Sequence, residues 1–176
     1  MSVRFTVLIA LRQSCRSFGH RPVTEEQLAR VLKAANAAPV GMGHYDDLAL
    51  TVVQDATLLA KLEEHAFAQQ EWMGPHPLYG AGTVVCISHQ ADNEAMGWAN
   101  VSCVAENMLL AATDEGLGSI YLMAVPMAAR SSAELCEALH VPDGFLPFAM
   151  VGIGTPSAPQ EGRALTTDRI ACTRVR

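Results

Sequence analysis

The sequence has 176 residues, enough for one domain with a full hydrophobic core but too few for two independent domains. Half of the residues are apolar and 17% are charged. The mean hydropathy of +0.18 is high for a soluble monomer, so we expect a homodimer that hides apolar surface. The net charge of −6 argues against nucleic-acid binding. No apolar run approaches the roughly 18–20 residues that span a bilayer, which argues against a membrane protein.

The cysteines favour a reducing compartment. Their number is odd and no CxxC pair occurs, which argues against structural zinc and thioredoxin chemistry. Four of the five lie in apolar surroundings and are interpreted as small core residues. The first eleven residues also lack the apolar length and the small-residue cleavage site of a secretion signal. We therefore expect a cytoplasmic protein. The cysteines are Cys15, Cys86, Cys103, Cys136 and Cys172.

The clearest predicted helix covers residues 24–36. Thr24 can cap its start, and Gln27 stands at the capping-box position three residues later. Val23 and Leu28 have the spacing of a hydrophobic staple, and an apolar stripe follows them.

Other elements alternate along the chain. Helices are predicted over residues 3–14, 56–70, 94–114 and 131–139, and strands over residues 48–53, 83–88, 119–125 and 148–153. Helix 3–14 would place Val7, Leu8 and Leu11 on one face. Helix 94–114 is apolar nearly all round, so it should be central and buried. Ser131 and Glu134 form a possible capping box. Residues 71–82 and 155–162 are predicted loops, and residues 168–175 an extended tail.

The interleaved helices and strands predict the fold class. The strands read as buried on both faces, which indicates an α+β (α/β-like) layered sandwich with a mixed central sheet flanked by helices. We expect one domain over residues 1–176, with an extended C-terminal tail from about residue 163. That tail could cross to a partner subunit and add an edge strand there.

The most informative segment is residues 11–18, LRQSCRSF, which places two Arg and two Ser within six positions. Arg12 and Ser14 can bind a phosphate together, since Arg offers a planar donor fork and Ser a short hydroxyl donor. A solvated helix end, where Arg suits the helix dipole, explains the same spacing. From spacing alone both interpretations stay open.

Several short motifs follow one another along the chain. R-x-S-x-R-x-F covers residues 12–18 and is followed by a Pro-Val pair at 22–23. Ala-Pro at 38–39, NMLLAA at 107–112, GLGS at 116–119 and G-x-G-x-P at 152–156 come after them. In type and order these motifs resemble those of the nitroreductase family. The resemblance implies a three-layer sandwich that binds FMN at a homodimer interface, with both subunits contributing.

The resemblance also implies roles for residues near the N-terminus. Arg12 and Ser14 would bind the FMN phosphate, with Gln13 at the ribityl chain or ring edge. Arg16 would approach the pyrimidine side of the ring, where a fixed cation stabilises the negative charge of reduced flavin. Arg163 resembles the late basic residue that completes the phosphate site, and Arg169 is a weaker candidate for that role.

Two further groups of residues would contact the flavin ring. One covers the ring from the partner chain, and the other places a backbone N–H opposite flavin N5. These are Pro39, Val40 and Gly41, and Leu122, Met123 and Ala124, respectively. The implied activity is hydride transfer from NADH or NADPH through FMN to a small acceptor such as a nitroaromatic or a quinone. No side chain is predicted to be catalytic.

Departures from the family pattern motivate rival hypotheses. Residues 40–48 lack the family's usual Ser, Asn and Gln donors, so contact there would be mostly through the backbone. Met123 stands where a glutamate is common, and the segment that covers the flavin is reduced to residues 67–82 at most. A non-catalytic flavin-binding or sensory dimer is the second hypothesis. A different cofactor, or none, is the third.

Two more clusters have competing interpretations. His44, Asp46 and Asp47 could suggest a metal site, but the polarity of a loop explains them more simply, and we predict no metal. Another cluster either lines a substrate pocket or packs at a subunit interface. Its members are Trp72, Met73, His76 and Tyr79.

Overall fold

The computed structural model describes residues 4–176, which form six α-helices and four β-strands. The helices are α1 (Phe5–Leu11), α2 (Glu25–Ala35), α3 (Ala56–Gln69), α4 (Glu94–Asp114), α5 (Ala124–Ala129) and α6 (Ala133–Ala138). The strands are β1 (Leu48–Val53), β2 (Thr83–Gln90), β3 (Gly118–Leu122) and β4 (Phe145–Gly154). Short 3₁₀ turns lie at Gly41–Gly43, Tyr45–Asp47 and Glu71–Met73.

The four strands form one sheet in the order β1-β2-β4-β3. Each neighbouring pair is antiparallel, so the prediction of a mixed sheet is wrong for these strands. The segments between β1 and β2, and between β3 and β4, contain helices but still return the chain antiparallel. Within residues 4–176, the parallel pairing is limited to an isolated bridge between Ser14 and Ser119. The α+β class itself is confirmed.

Helices cover both faces of the sheet and make three layers. Helices α2 and α4 pack on one face, and α3, α5 and α6 pack on the other. Strand β2 serves both layers, because Val85 and Ile87 point into the first core and Val84 and Cys86 into the second. This double burial explains why β2 is apolar along most of its length.

Helix α2 confirms the predicted capping box. The Thr24 hydroxyl accepts from the Gln27 backbone N–H, while the Gln27 side chain accepts from the Thr24 backbone N–H. Val23 and Leu28 are both buried in the same core, consistent with the expected staple.

Helix α1 is shorter than predicted. Residue 3 lies outside the described residues, and the helix ends at Leu11 rather than at Ser14. From Arg12 onward the backbone is extended (ψ 116°), and Ser14 pairs with β3 instead. No residue of α1 is buried, and Val7 on its expected packing face is 46% exposed.

Helix α4 has the predicted bounds, but the expected burial on every side is wrong for a single chain. Its buried residues follow the three- and four-residue spacing of one face, from Gly97 to Ala112. Ala99 on the opposite face is exposed, together with Ser102 and Glu106. One chain alone therefore leaves part of this apolar helix uncovered.

The segment after β3 differs most from the prediction. The strand stops at Leu122 rather than at residue 125, and the unpredicted helix α5 follows it. Pro126 fits α5 because the first turn of a helix needs no backbone N–H partner. The capping box at Ser131 is also wrong. Ser131 donates to the Ala128 carbonyl, and the neighbouring Ser132 caps α6.

The C-terminal segment has no helix or strand of its own. Strand β4 begins earlier than predicted, at Phe145, and ends at Gly154. Residues 161–176 are exposed and have neither helical nor strand structure. Among residues 4–176, no helix has both the length and the apolar character that crossing a membrane requires.

Candidate functional site

Residues 12–16, here called the 12–16 segment, lie against the edge strand β3. The Cys15 backbone N–H donates to the Ser119 carbonyl at 2.8 Å, beside the Ser14–Ser119 bridge. Gly118 permits this approach, because a Cβ there would lie only 2.7 Å from the Cys15 sulfur. One backbone hydrogen bond and the neighbouring bridge therefore hold the segment against β3. Side chains of the segment that do not face β3 are free to make other contacts.

Arg12 is loosely paired in this structure. Its Nε lies 3.7 Å from Glu106 Oε1, and the two side chains are 20% and 53% exposed. Such a long, partly solvated ion pair contributes little to stability. Arg12 can therefore exchange Glu106 for a more strongly charged ligand at small cost.

Arg163 lies against the backbone of Arg12, with which it is predicted to share a phosphate site. Its backbone N–H donates to the Ala10 carbonyl at 3.0 Å, and its guanidinium donates to the Arg12 carbonyl at 2.7 Å. The Gln13 side chain donates to the Glu161 carbonyl at 3.2 Å. These contacts bring two arginines from opposite ends of the chain to the C-terminal end of α1, where positive charge is favourable.

Arg16, at the other end of the 12–16 segment, lines a cavity of about 370 Å³. The cavity also contains all three residues that the sequence placed beside flavin N5, namely Leu122, Met123 and Ala124. The remaining lining residues are mostly apolar or aromatic. They are Trp72, Met73, Pro77, Tyr79, Ile120, Tyr121 and Val125.

The mid-chain loop forms one wall of this cavity. Three members of the predicted cluster line it: Trp72, Met73 and Tyr79. His76 does not; its Nδ1 lies 3.4 Å from the Glu63 carboxylate. For the three lining residues, a pocket role has direct geometric support.

Glu63 on α3 anchors this wall and was missed from the sequence. Its carboxylate accepts from the Leu78 backbone N–H at 3.0 Å as well as contacting His76. The Glu63 side chain is only 19% exposed. Fifteen residues separate Glu63 from Leu78, and no short-range spacing in the sequence indicates that they meet.

Pro39, Val40 and Gly41 lie apart from the cavity. Among the described residues that line it, none comes from this turn. The Gly41 backbone N–H instead donates to the Asn100 side-chain oxygen on α4, at 2.9 Å. One chain therefore carries the predicted flavin contacts in two separate groups.

The predicted His44–Asp47 cluster and the cysteines lie outside the described lining of this cavity. His44 lies 3.7 Å from Asp47, and residues 4–176 contain no group of three metal-ligating side chains. All five cysteines are free, and burial raises the pKa of the Cys86 thiol to about 12. Two features therefore stand out. Arg12 and Arg163 lie at one end of the 12–16 segment, and Arg16 at its other end lines a cavity with aromatic and apolar walls.

Comparison with known proteins gives this combination a family. Residues 9–155 match the model of the nitroreductase family. A protein of Archaeoglobus fulgidus named as a candidate NADH dehydrogenase/NAD(P)H nitroreductase is 32% identical over 151 residues, covering 85% of this chain and 83% of the relative.

Solved structures share the fold. A nitroreductase with bound FMN from Desulfitobacterium hafniense superposes with a TM-score of 0.87 at 22% identity, covering 99% of this chain and all of that one. A nitroreductase with bound FMN from Bacteroides fragilis gives 0.82 at 23% identity, covering 98% of this chain and all of that one. On the family match and the identity to the archaeal relative, the chain belongs to the nitroreductase family.

Proposed function

We propose that this protein is an FMN-dependent oxidoreductase that moves a hydride from NADH or NADPH, through flavin N5, to a small acceptor such as a nitroaromatic or a quinone. One observation carries the proposal. The 12–16 segment has the Arg12–Arg163 pair at one end and the Arg16 cavity at the other. A ligand with a phosphate on a short chain and a planar ring matches that spacing of charge and cavity.

The phosphate end fits the residues present. Arg12, Ser14 and Arg163 would hold the phosphate, because guanidinium forks and a hydroxyl are its usual protein donors. Arg12 is available because its pairing with Glu106 is long and partly solvated. Gln13, whose amide already reaches the 161–163 segment, would contact the ribityl chain.

The ring end fits as well. Arg16 supplies a cation at a largely apolar cavity, and charge acts more strongly there than in water. Among the described lining residues, the ionisable side chains are Arg16, Tyr79 and Tyr121, and none is a carboxylate or a histidine. The protein's contribution would then be position, electrostatics and exclusion of water, with no acid–base side chain.

We further propose a homodimer in which Pro39, Val40 and Gly41 of one subunit cover the flavin held by the other. The separation of this turn from the cavity supports the idea, as does the incompletely covered α4. Exposed Phe5 and Val7 on α1 add apolar surface for a subunit interface. The free thiols favour the cytoplasm as its compartment.

The names of relatives support the two redox partners. The Desulfitobacterium and Bacteroides structures contain FMN. The Archaeoglobus relative carries NAD(P)H in its name. The altered turn at residues 40–48 and Met123 instead favour the second hypothesis, a flavin-binding or sensory dimer without turnover.

Stopped-flow absorbance distinguishes the two hypotheses. The purified protein, loaded with FMN, is mixed anaerobically with NADH or NADPH and then with a nitroaromatic or a quinone. The oxidoreductase proposal expects rapid bleaching by at least one nucleotide and recovery of colour on addition of the acceptor. A yellow protein that neither nucleotide bleaches would contradict it and favour the sensory dimer.

A further inference from the structure

A chain of buried hydrogen bonds ends at the Gly41 turn. His89 on β2 and Asn100 on α4 are 1% and 3% exposed, although both side chains are polar. Neither lines the Arg16 cavity among the described residues. Because buried polar groups are costly unless paired, their partners are informative.

Each hydrogen bond in the chain fixes the next. The Gln90 carbonyl, 2.9 Å from His89 Nδ1, can only accept, so Nδ1 carries the proton. The Gly41 backbone N–H can only donate, so the Asn100 side-chain oxygen, 2.9 Å away, accepts from it. The Asn100 amide nitrogen is then the end that donates to His89 Nε2, at 3.2 Å. The hydrogen bond to His89 thus holds the Asn100 oxygen toward Gly41.

Packing holds the His89 ring in place. Its ring meets Phe148 edge-on, with centroids 5.8 Å apart. Gly97 on α4 leaves room for both rings, because a Cβ there would lie 2.7 Å from Phe148 and 3.3 Å from His89 Nδ1. The orientation of Asn100 is therefore determined by the core rather than by solvent.

The turn at residues 40–43, Val-Gly-Met-Gly, has no polar side chain of its own. Met42 adopts a φ of 55°, in the left-handed region that non-glycine residues seldom occupy. Its side chain is 87% exposed and contributes little packing. Within the turn, the Gly43 backbone N–H donates to the Val40 carbonyl at 3.0 Å. Asn100 adds a hydrogen bond from outside the turn, which ties this backbone conformation to the core.

We propose that His89 and Asn100 are positioning residues that fix the 40–43 turn for covering the FMN bound by a second copy of the chain. The inference rests on the proposed function, because it assigns the covering role to this turn. In this chain, core side chains would replace the polar turn residues that the sequence lacks. Neither residue would touch the reacting atoms.

The test compares Asn100→Leu with Asn107→Leu in the purified, FMN-loaded protein. Asn107 lies two turns further along α4 and donates to the Ala34 carbonyl at 3.0 Å, away from Gly41. Two readouts are needed: amide exchange of Gly41 by NMR and the Kd of FMN by fluorescence titration. We expect N100L to accelerate Gly41 exchange and to raise the Kd, each by about five- to tenfold, and N107L to do neither.

A rescue variant guards against simple misfolding. Asn100→Asp keeps an oxygen acceptor for the Gly41 N–H, and its second carboxylate oxygen can accept from His89 when Nε2 also carries a proton. The Gly41 exchange rate in N100D should therefore stay within about twofold of wild type, while that in N100L does not. Wild-type exchange in N100L would overturn the proposal. Faster exchange with the same Kd as N107L would also overturn it. A wild-type protein that takes up no FMN would instead defeat the proposed function, and the covering role with it.

Discussion

The 12–16 segment and the 40–43 turn, the two regions proposed to contact FMN, are held in place in opposite ways. The first presents charged side chains, Arg12 and Arg16, and is held by backbone pairing with β3. The second presents backbone and apolar groups, and is held by a buried side chain, Asn100. In the 12–16 segment, the local sequence supplies the charged side chains directly. In the 40–43 turn, side chains from β2 and α4 determine the backbone conformation.

Under the proposed function, the two regions would tolerate substitution differently. A phosphate and a charged ring edge require particular side chains, so the 12–16 segment has little freedom. A turn that covers a ring through its backbone requires only a particular backbone conformation. Different sets of packed residues elsewhere in the fold can hold that conformation. The 40–43 turn does not line the cavity that contains Arg16, so the proposed covering role requires a second copy of the chain.

The largest expected effect comes from the charged region. Arg12→Ala should raise the Kd of FMN by about 10- to 100-fold, because a hydrogen bond to a charged partner contributes roughly 1.5–3 kcal/mol. Fluorescence titration measures the change, and Arg174→Ala in the exposed tail is the control. Unchanged FMN affinity and activity in R12A would remove Arg12 from the phosphate site.

Arg16 should act on rate more than on affinity. Arg16→Gln keeps a polar side chain at the cavity but removes the cation, so flavin reduction by NAD(P)H should slow by about tenfold. Stopped-flow absorbance measures this step. Arg21→Gln is the matched control, since Arg21 contacts Thr155 and does not line this cavity. An equal slowing in both variants would argue against a specific role for Arg16.

A smaller effect is expected at the cavity mouth. Trp72 is 77% exposed yet lines the cavity, so Trp72→Ala should raise the KM for an aromatic acceptor about two- to tenfold. Reduction by NAD(P)H should change little. Phe67→Ala removes another exposed aromatic outside the lining and should leave the KM unchanged. If the two variants behave alike, the tryptophan does not select the acceptor.

The smallest effect is expected from a substitution outside both regions, which serves as a control for general loss of stability. Thr24→Ala removes the capping box of α2 at a cost of about 1 kcal/mol, which lowers Tm by about 2–4 °C for a chain of this size. The Kd of FMN should not move. Calorimetry and titration of the same sample check both statements, and a shift in affinity would show that general destabilisation reaches the site.

Local signals predicted much of the fold. The Thr24–Gln27 capping box, strand β1 and the bounds of α4 follow from neighbouring residues, and the structure confirms them. Helix α5 was missed because apolar residues after β3 read as a longer strand. The proline in its first turn was the available signal. Strand direction was missed because the order of elements does not determine it.

In the candidate site too, some residues were predicted from local motifs and others were not. Arg16 and residues 122–124 line one cavity, and their contacts with a flavin stay predictions from the ordered motifs. Glu63, His89 and Asn100 were not predicted, because their partners lie far away in sequence and their residue types are common. Their roles depend on tertiary packing, which no local pattern encodes.

The most direct test of the flavin site is the visible spectrum of the purified wild-type protein, recorded before and after incubation with FMN and desalting. The account predicts the absorption bands of bound flavin, present from the start or retained after desalting, at one FMN per chain. A protein that shows no flavin bands and retains no added FMN would contradict it.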